Sequence, residues 1–158
     1  MAFLPQSFPP EFITPTHATT ALFVLRPLTI HHLVKDYDAV MTSREHLWQR
    51  FGAVWGWPET NLSLEQDLID LAWHQKEFQN KSSFAYSVFN LDESRTLGCV
   101  YIYPPSTPKT DADVWFWARQ SEQARGLEGD LAIFLGHWLA ECWPFKTVML
   151  NCEFLKID

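Results

Sequence analysis

Residues 120–130, QSEQARGLEGD, combine a glycine turn, an arginine and carboxylates in one short stretch. A polar break over Gln120–Arg125 ends at Gly126. It opens onto Leu127, Leu131, Phe134, Leu135, Trp138, Leu139 and Cys142, which recur at the three- and four-residue steps of a helix. A glycine turn at a helix start offers unpaired N–H groups and the positive end of the helix dipole, and together these suit a phosphate. The acids point to another occupant. Glu128 and Asp130 fall in the first helical turn, where the dipole favours a carboxylate by about 0.3–1 kcal/mol. The turn can therefore be sealed by its own side chains or left open to an anionic ligand. Glu122 adds negative charge, opposed locally by Arg119 and Arg125.

The flanking elements fix where this turn lies. Residues 111–119 alternate apolar and aromatic side chains as a largely buried strand does, Pro144 stops the helix, and residues 146–150 resume a β-rich run. A crossover of that length joins parallel strands. Upstream, residues 83–91 and Thr96–Tyr103 read as strands around a tight turn at 92–95. The second is apolar on both faces, as a central strand is. Two helices precede them. Leu33, Tyr37, Val40, Met41, Leu47 and Phe51 mark the first, with a break near Thr42 and Ser43; a capping box at Ser63 and Gln66 opens the second. Residues 21–28 form an edge strand containing Pro27. In residues 1–20, Pro5, Pro9, Pro10 and Pro15 exclude regular structure, while Phe3, Phe8 and Phe12 argue against a solvated tail. The expectation is an extended arm on a single domain, residues 21–158.

QARGLE, residues 123–128, resembles the Gln/Arg-x-x-Gly-x-Gly/Ala signature of the GNAT superfamily of N-acetyltransferases, and the element order over residues 23–153 is similar too. The resemblance implies an α/β fold, with a mixed, mostly antiparallel sheet carrying helices on both faces. It also implies acetyl-CoA as cosubstrate and a primary amine of a small molecule or peptide as acceptor. On the matching positions, Gln123, Arg125, Gly126, Leu127 and Gly129 would cradle the pyrophosphate, and Trp117, Ala118 and Arg119 would present backbone N–H groups where the sheet splays. Asp113 and Glu153 are then candidate bases and Tyr103 a candidate acid. Trp55 and Trp57, in the link between the two helices, form a wall of the acceptor pocket or else a plug under the loop. The sequence departs from the pattern twice. Glu128 stands where the signature has a small residue, with Gly129 one place late, and no tyrosine follows Tyr103 to protonate the departing thiolate. The family usually continues with a further helix and a closing hairpin, so residues 147–154 are expected to leave an open edge. Either the arm or a second subunit would cover it, an isologous homodimer being the simplest closed arrangement. The alternative function is a non-catalytic binding or dimerisation module on the same fold.

A formal net charge of −7 disfavours nucleic-acid binding and tolerates a cationic substrate. Eight Trp and twelve Phe imply a thick aromatic core or an aromatic-lined pocket. No apolar run is long enough to span a membrane, and neither Cys nor His falls in metal-ligand spacing. The three cysteines are expected to be reduced thiols, and the cytoplasm is the expected location.

Overall fold

The computed structural model describes residues 2–157; Met1, counted above with the arm, and Asp158, counted with the domain, lie outside the described residues. Seven strands form one sheet in chain order: β1 (Ala18–Thr19), β2 (Val24–Pro27), β3 (Phe84–Phe89), β4 (Thr96–Tyr103), β5 (Ala112–Ala118), β6 (Thr147–Leu150) and β7 (Glu153–Lys156). All neighbours are antiparallel except β5 and β6, which the helix α4 (Leu127–Cys142) joins in parallel. Helices α1 (Leu33–Thr42), α2 (Arg44–Trp55) and α3 (Leu64–Gln79) lie between β2 and β3 in sequence. The expected mixed α/β sheet with helices on both faces is therefore observed, as is the β3–β4–β5–β6 order.

Alternation along the strands divides the core into two layers. Val100, Val114 and Phe116 meet Leu131, Leu135 and Leu139 of α4 on one side. Cys99, Tyr101 and Trp117 meet Val40, Leu47, Phe51 and Leu71 of α1–α3 on the other. Burying each large apolar side chain contributes about 1.5–3 kcal/mol, so both layers hold the sheet firmly. Gly98 of β4 faces Ala118, and a Cβ there would lie 2.0 Å from the Trp117 carbonyl oxygen. Only glycine allows β4 and β5 to approach so closely.

Local signals act as the residue types require. The first helical stretch breaks at Ser43, whose hydroxyl accepts from the Gln120 N–H at 2.8 Å and so ties the α1–α2 junction to the glycine turn. Gly56, at φ +61°, ends α2. Ser63 caps α3 by accepting from the Gln66 N–H at 3.0 Å.

Two expectations need correction. Residues 21–28 yield only a four-residue strand, because Thr20 folds the chain at residues 20–23 by accepting from the Leu22 and Phe23 N–H groups. The edge at β6 is covered not by the arm but by the chain's own continuation. Asn151 and Cys152 both adopt positive φ, +46° and +70°, and turn the chain into β7, which pairs with β6 from Thr147↔Lys156 to Leu150↔Glu153. Two left-handed residues suit the twist of a two-residue hairpin. The arm crosses the α4 side of the sheet and ends at the opposite edge: Tyr86 donates to the Pro15 carbonyl at 2.6 Å, and Ala18 and Thr19, as β1, pair with β2, so the strand expected at the edge has a neighbour on each side. Phe8 meets Phe84 edge-on, Phe12 packs on Trp143, and Phe3 stacks on Phe145. No helix among the described residues is long and apolar enough to cross a membrane.

Candidate active site at the β5–β6 wedge

Strands β5 and β6 pair only from Ala112↔Val148 to Val114↔Leu150. Beyond that point β6 has turned away at Asn151, while β5 runs on through Ala118. A wedge therefore opens along the β5 edge, closed at its far end by the turn before α4. Backbone groups alternate sides along a strand. The Arg119 N–H bonds to the Leu97 carbonyl at 2.7 Å, on the β4 side, so the N–H groups of Phe116 and Ala118 face the wedge. Of Trp117, Ala118 and Arg119, Ala118 thus presents its N–H there.

Side chains from three elements meet this edge. The Asn151 amide acts as one more rung of the ladder: its Oδ1 accepts from the Phe116 N–H at 2.9 Å, and its Nδ2 donates to the Phe116 carbonyl at 3.1 Å. Arg50 of α2 donates to the same carbonyl at 3.1 Å. Gln123 donates to the Ala118 carbonyl at 2.7 Å.

Gln120–Arg125 forms a 3₁₀ turn that ends at Gly126, with φ +74°. An added Cβ at Gly126 meets nothing within 4 Å, so the left-handed backbone is what calls for glycine there. The first turn of α4 follows, its N–H groups lacking partners one turn earlier. Here the carboxylate of Glu128 is decisive. It pairs with Arg50, accepts from Gln123 Nε2 at 3.1 Å, and lies 3.7 Å from His46 Nε2. The wedge mouth is thus bridged from α2 to α4 by the protein's own anion. A pyrophosphate fits the backbone of this turn: Gly126 has the required conformation, and the space around Gly129 is open. The pyrophosphate would have to displace the Glu128 carboxylate, and in doing so would meet Arg50 and Gln123 as donors.

The other candidates occupy definite places. Arg119 is buried, and its guanidinium donates to the Thr96 carbonyl, Asp38 and Thr42, each at 3.0 Å, away from the wedge. Arg125 extends into solvent and pairs with the buried Glu122 at 3.4 Å. Asp113 lies at the paired end of β5, where its Oδ2 accepts from the Ser106 N–H at 3.1 Å. Glu153, exposed, begins β7. Tyr103 stands across from Asp113 on β4, and burial raises its pKa, keeping the phenol protonated. Trp55 stacks on Phe51 at 4.5 Å and meets Tyr101, Tyr103 and Trp115 edge-on. With Trp57 it walls a cavity on the α1–α3 face. Arg50, His46 and Asn151 escaped sequence reasoning, since each meets the wedge only through tertiary packing.

No family model matches the sequence, and no curated protein matches it. Among solved structures, the ribosomal-protein-S5-alanine acetyltransferase from Vibrio fischeri superposes with a TM-score of 0.67 at 14% identity, over 86% of this chain and 73% of that one. The RimL ribosomal L7/L12 alpha-N-protein acetyltransferase in complex with coenzyme A gives 0.65 at 16%, covering 84% and 72%. The microcin C7 self-immunity acetyltransferase MccE, in complex with acetyl-CoA and AMP, gives 0.64 at 12%, covering 92% and 75%. With the parallel β5–β6 pair, the wedge and the glycine turn before α4 all in place, the chain has the fold of the GNAT acetyltransferases.

Proposed function

We propose that the protein is an N-acetyltransferase that moves an acetyl group from acetyl-CoA to a primary amine of a small molecule or peptide. The observation that carries this reading is the wedge itself, a strand edge with inward-facing backbone groups that ends at a helix N-terminus. Acetyl-CoA, when bound, supplies the acetyl thioester. Gly126, Leu127 and Gly129 would offer N–H groups to the pyrophosphate, with Gln123 and Arg125 beside them. The β5 segment of Trp117, Ala118 and Arg119 would hold the thioester arm, and the Ala118 N–H would polarise its carbonyl. The amine must lose a proton before it attacks, and Asp113 and Glu153 are the candidate acceptors. Tyr103, held protonated, is the candidate donor to the departing thiolate. Trp55 and Trp57 would shape the acceptor side. The same reading places the protein in the cytoplasm and leaves β7 as the edge at which a second copy would add to form a homodimer.

The Arg50–Glu128–Gln123 bridge favours a second reading, in which the fold is kept as a binding module with its cofactor turn sealed. Titration with acetyl-CoA by calorimetry, followed by an assay of thiol release against a panel of amines, separates the two. Binding with turnover supports the enzyme; no binding at millimolar acetyl-CoA, for wild type and for a variant lacking the Glu128 carboxylate, leaves the module.

A further inference from the structure

On the opposite side of β5 from α4 lies a cavity of about 250 Å³ between α1, α3, β4 and the α2–α3 link. Its walls are rings: Trp55 from the end of α2, Trp57 from the link, Tyr101 and Tyr103 from β4, and Trp73, half exposed, on α3. Its acidic groups are Asp36 of α1 with Asp67 and Asp70 of α3. Among the described residues lining it there is neither a lysine nor an arginine.

Asp36 and Asp67 are buried, and their carboxyl groups hydrogen-bond to each other. From behind, the Cys99 thiol donates to Asp36 Oδ1 at 3.5 Å. Asp67 is 2% exposed, and apart from the proton it shares with Asp36 no donor reaches its Oδ2. A buried carboxyl oxygen without a donor is costly unless something satisfies it. His74, stacked on Tyr101 at 5.4 Å, supplies no compensating charge, because burial lowers its pKa to about 4. The rings present π-faces that attract cations, and the acids lack a cation.

We propose that this cavity binds an organic ammonium ion with an apolar body, held by the aromatic rings and by the Asp36–Asp67 carboxyl pair. It takes the acceptor's place in the proposed function, and in identifying its ligand with the acceptor it rests on that reading. The ring lining suits an organic body on the cation. Binding exchanges one proton for one cation. Desolvation and the Asp36 charge push the Asp67 pKa up to about 8, so below that pH the pair holds a proton that an arriving ammonium displaces. The other titratable groups facing the pair are Asp70 and His74 on α3 and Cys99 and Tyr101 on β4, with Glu59 of the link acting on Asp70. Burial keeps His74 neutral and Cys99 and Tyr101 protonated, and so leaves the carboxyls to set the pH dependence.

The test uses the full chain without acetyl-CoA and compares phenethylammonium with its neutral isostere 2-phenylethanol by calorimetry from pH 6 to 9. The ammonium should bind at least about tenfold more tightly at pH 8.5. Its affinity should rise by about tenfold per pH unit below pH 8 and level off above, with a proton released on binding. Asp67→Asn should abolish that slope and most of the discrimination. Should Asp67→Asn fail to fold by circular dichroism, the wild-type slope still decides, and Trp55→Leu should weaken the ammonium while keeping the slope. Equal binding of the alcohol, affinity independent of pH, or no ammonium binding at millimolar concentration overturns the proposal. A protein that binds the ammonium but never consumes acetyl-CoA loses the proposed function and keeps this site. One that acetylates amines without discriminating the two probes loses this site alone.

Discussion

Replacing Glu128 with alanine tests what the bridge at the wedge does. Alanine restores the small side chain of the signature without the cost of about 1 kcal/mol that glycine carries inside a helix. The Glu128 and Arg50 side chains are about a quarter exposed, so their ion pair is only partly screened by solvent. Losing it, together with the carboxylate at the α4 N-terminus, should cost about 1–2 kcal/mol, or a fall of roughly 2–8 °C in the unfolding midpoint for a domain of this size. The effect on cofactor binding has the opposite sign. A carboxylate some 4 Å from a phosphate in a partly hydrated site repels it by about 1–4 kcal/mol. Its removal also frees Arg50, which already donates to the Phe116 carbonyl and is held in place by it. Calorimetry with acetyl-CoA should therefore show at least about a tenfold gain for Glu128→Ala at 50 mM salt, shrinking as salt is raised. Comparison at a temperature where both proteins are folded removes the stability difference. Equal affinities would show that the carboxylate stays on Arg50 while the cofactor binds elsewhere along the turn. Weaker binding by the variant would refute the reasoning outright, because Glu128 would then be part of the cradle.

Gly98→Ala should destabilise by about 3 kcal/mol or more in urea unfolding, since its Cβ would fall 2.0 Å from a backbone oxygen that cannot move without parting β4 from β5. Asn151→Ala loses both hydrogen bonds to Phe116 and places a less tolerant residue at positive φ, so a loss of about 2 kcal/mol is expected. Stability should also fall as pH rises from about 6.5 to 8. In that window an unfolded aspartate is fully ionised, whereas folded Asp67, its pKa raised to about 8, still binds a proton. The native state thus binds more protons, and its advantage shrinks by up to about 1.4 kcal/mol per pH unit. His74, lowered to about 4, acts with the opposite sign but only below about pH 6.5, where the unfolded imidazole begins to charge. Melting curves should show the decline in wild type and a flat profile in Asp67→Asn; a flat wild-type profile would contradict the assignment.

The order of the central strands is legible in the sequence because β3, β4 and β5 each carry enough apolar residues to fix burial, and turn residues or prolines separate them. The hairpin into β7 is not. Its turn is Asn151 followed by Cys152, and cysteine lacks glycine's tolerance of positive φ that would flag such a turn. The glycine turn was readable from local residues alone, whereas the partner of Glu128 lies on α2, far away in the chain. The buried acids leave a trace in the sequence. Asp36 sits four residues before Val40, and Asp67 four before Leu71. Each aspartate therefore shares a helical stripe with core residues. Two acids on the inner faces of adjacent helices are a signal of shared chemistry, although their meeting depends on how α1 and α3 pack.

The two acidic sites flanking β5 differ in what the protein gives them. Glu128 has a cation and an amide donor; Asp67, buried, has no donor beyond the proton it shares with Asp36, and an oxygen is left unsatisfied when that proton leaves. A satisfied carboxylate stabilises the free protein and must be detached before an anion can take its position, so the energy of the Arg50 pair is deducted from cofactor affinity. An unsatisfied one destabilises the free protein, and a cation that relieves it gains that energy as affinity. A ligand for the acidic cavity should therefore raise the melting temperature more at pH 8.5 than at pH 6.5, whereas a ligand for the wedge should be governed by salt and little by pH. If both sites act in one reaction, the acceptor binds more tightly once the solution is alkaline enough to empty the carboxyl pair of its proton. The cofactor's affinity then follows the ionic strength that loosens Glu128 from Arg50.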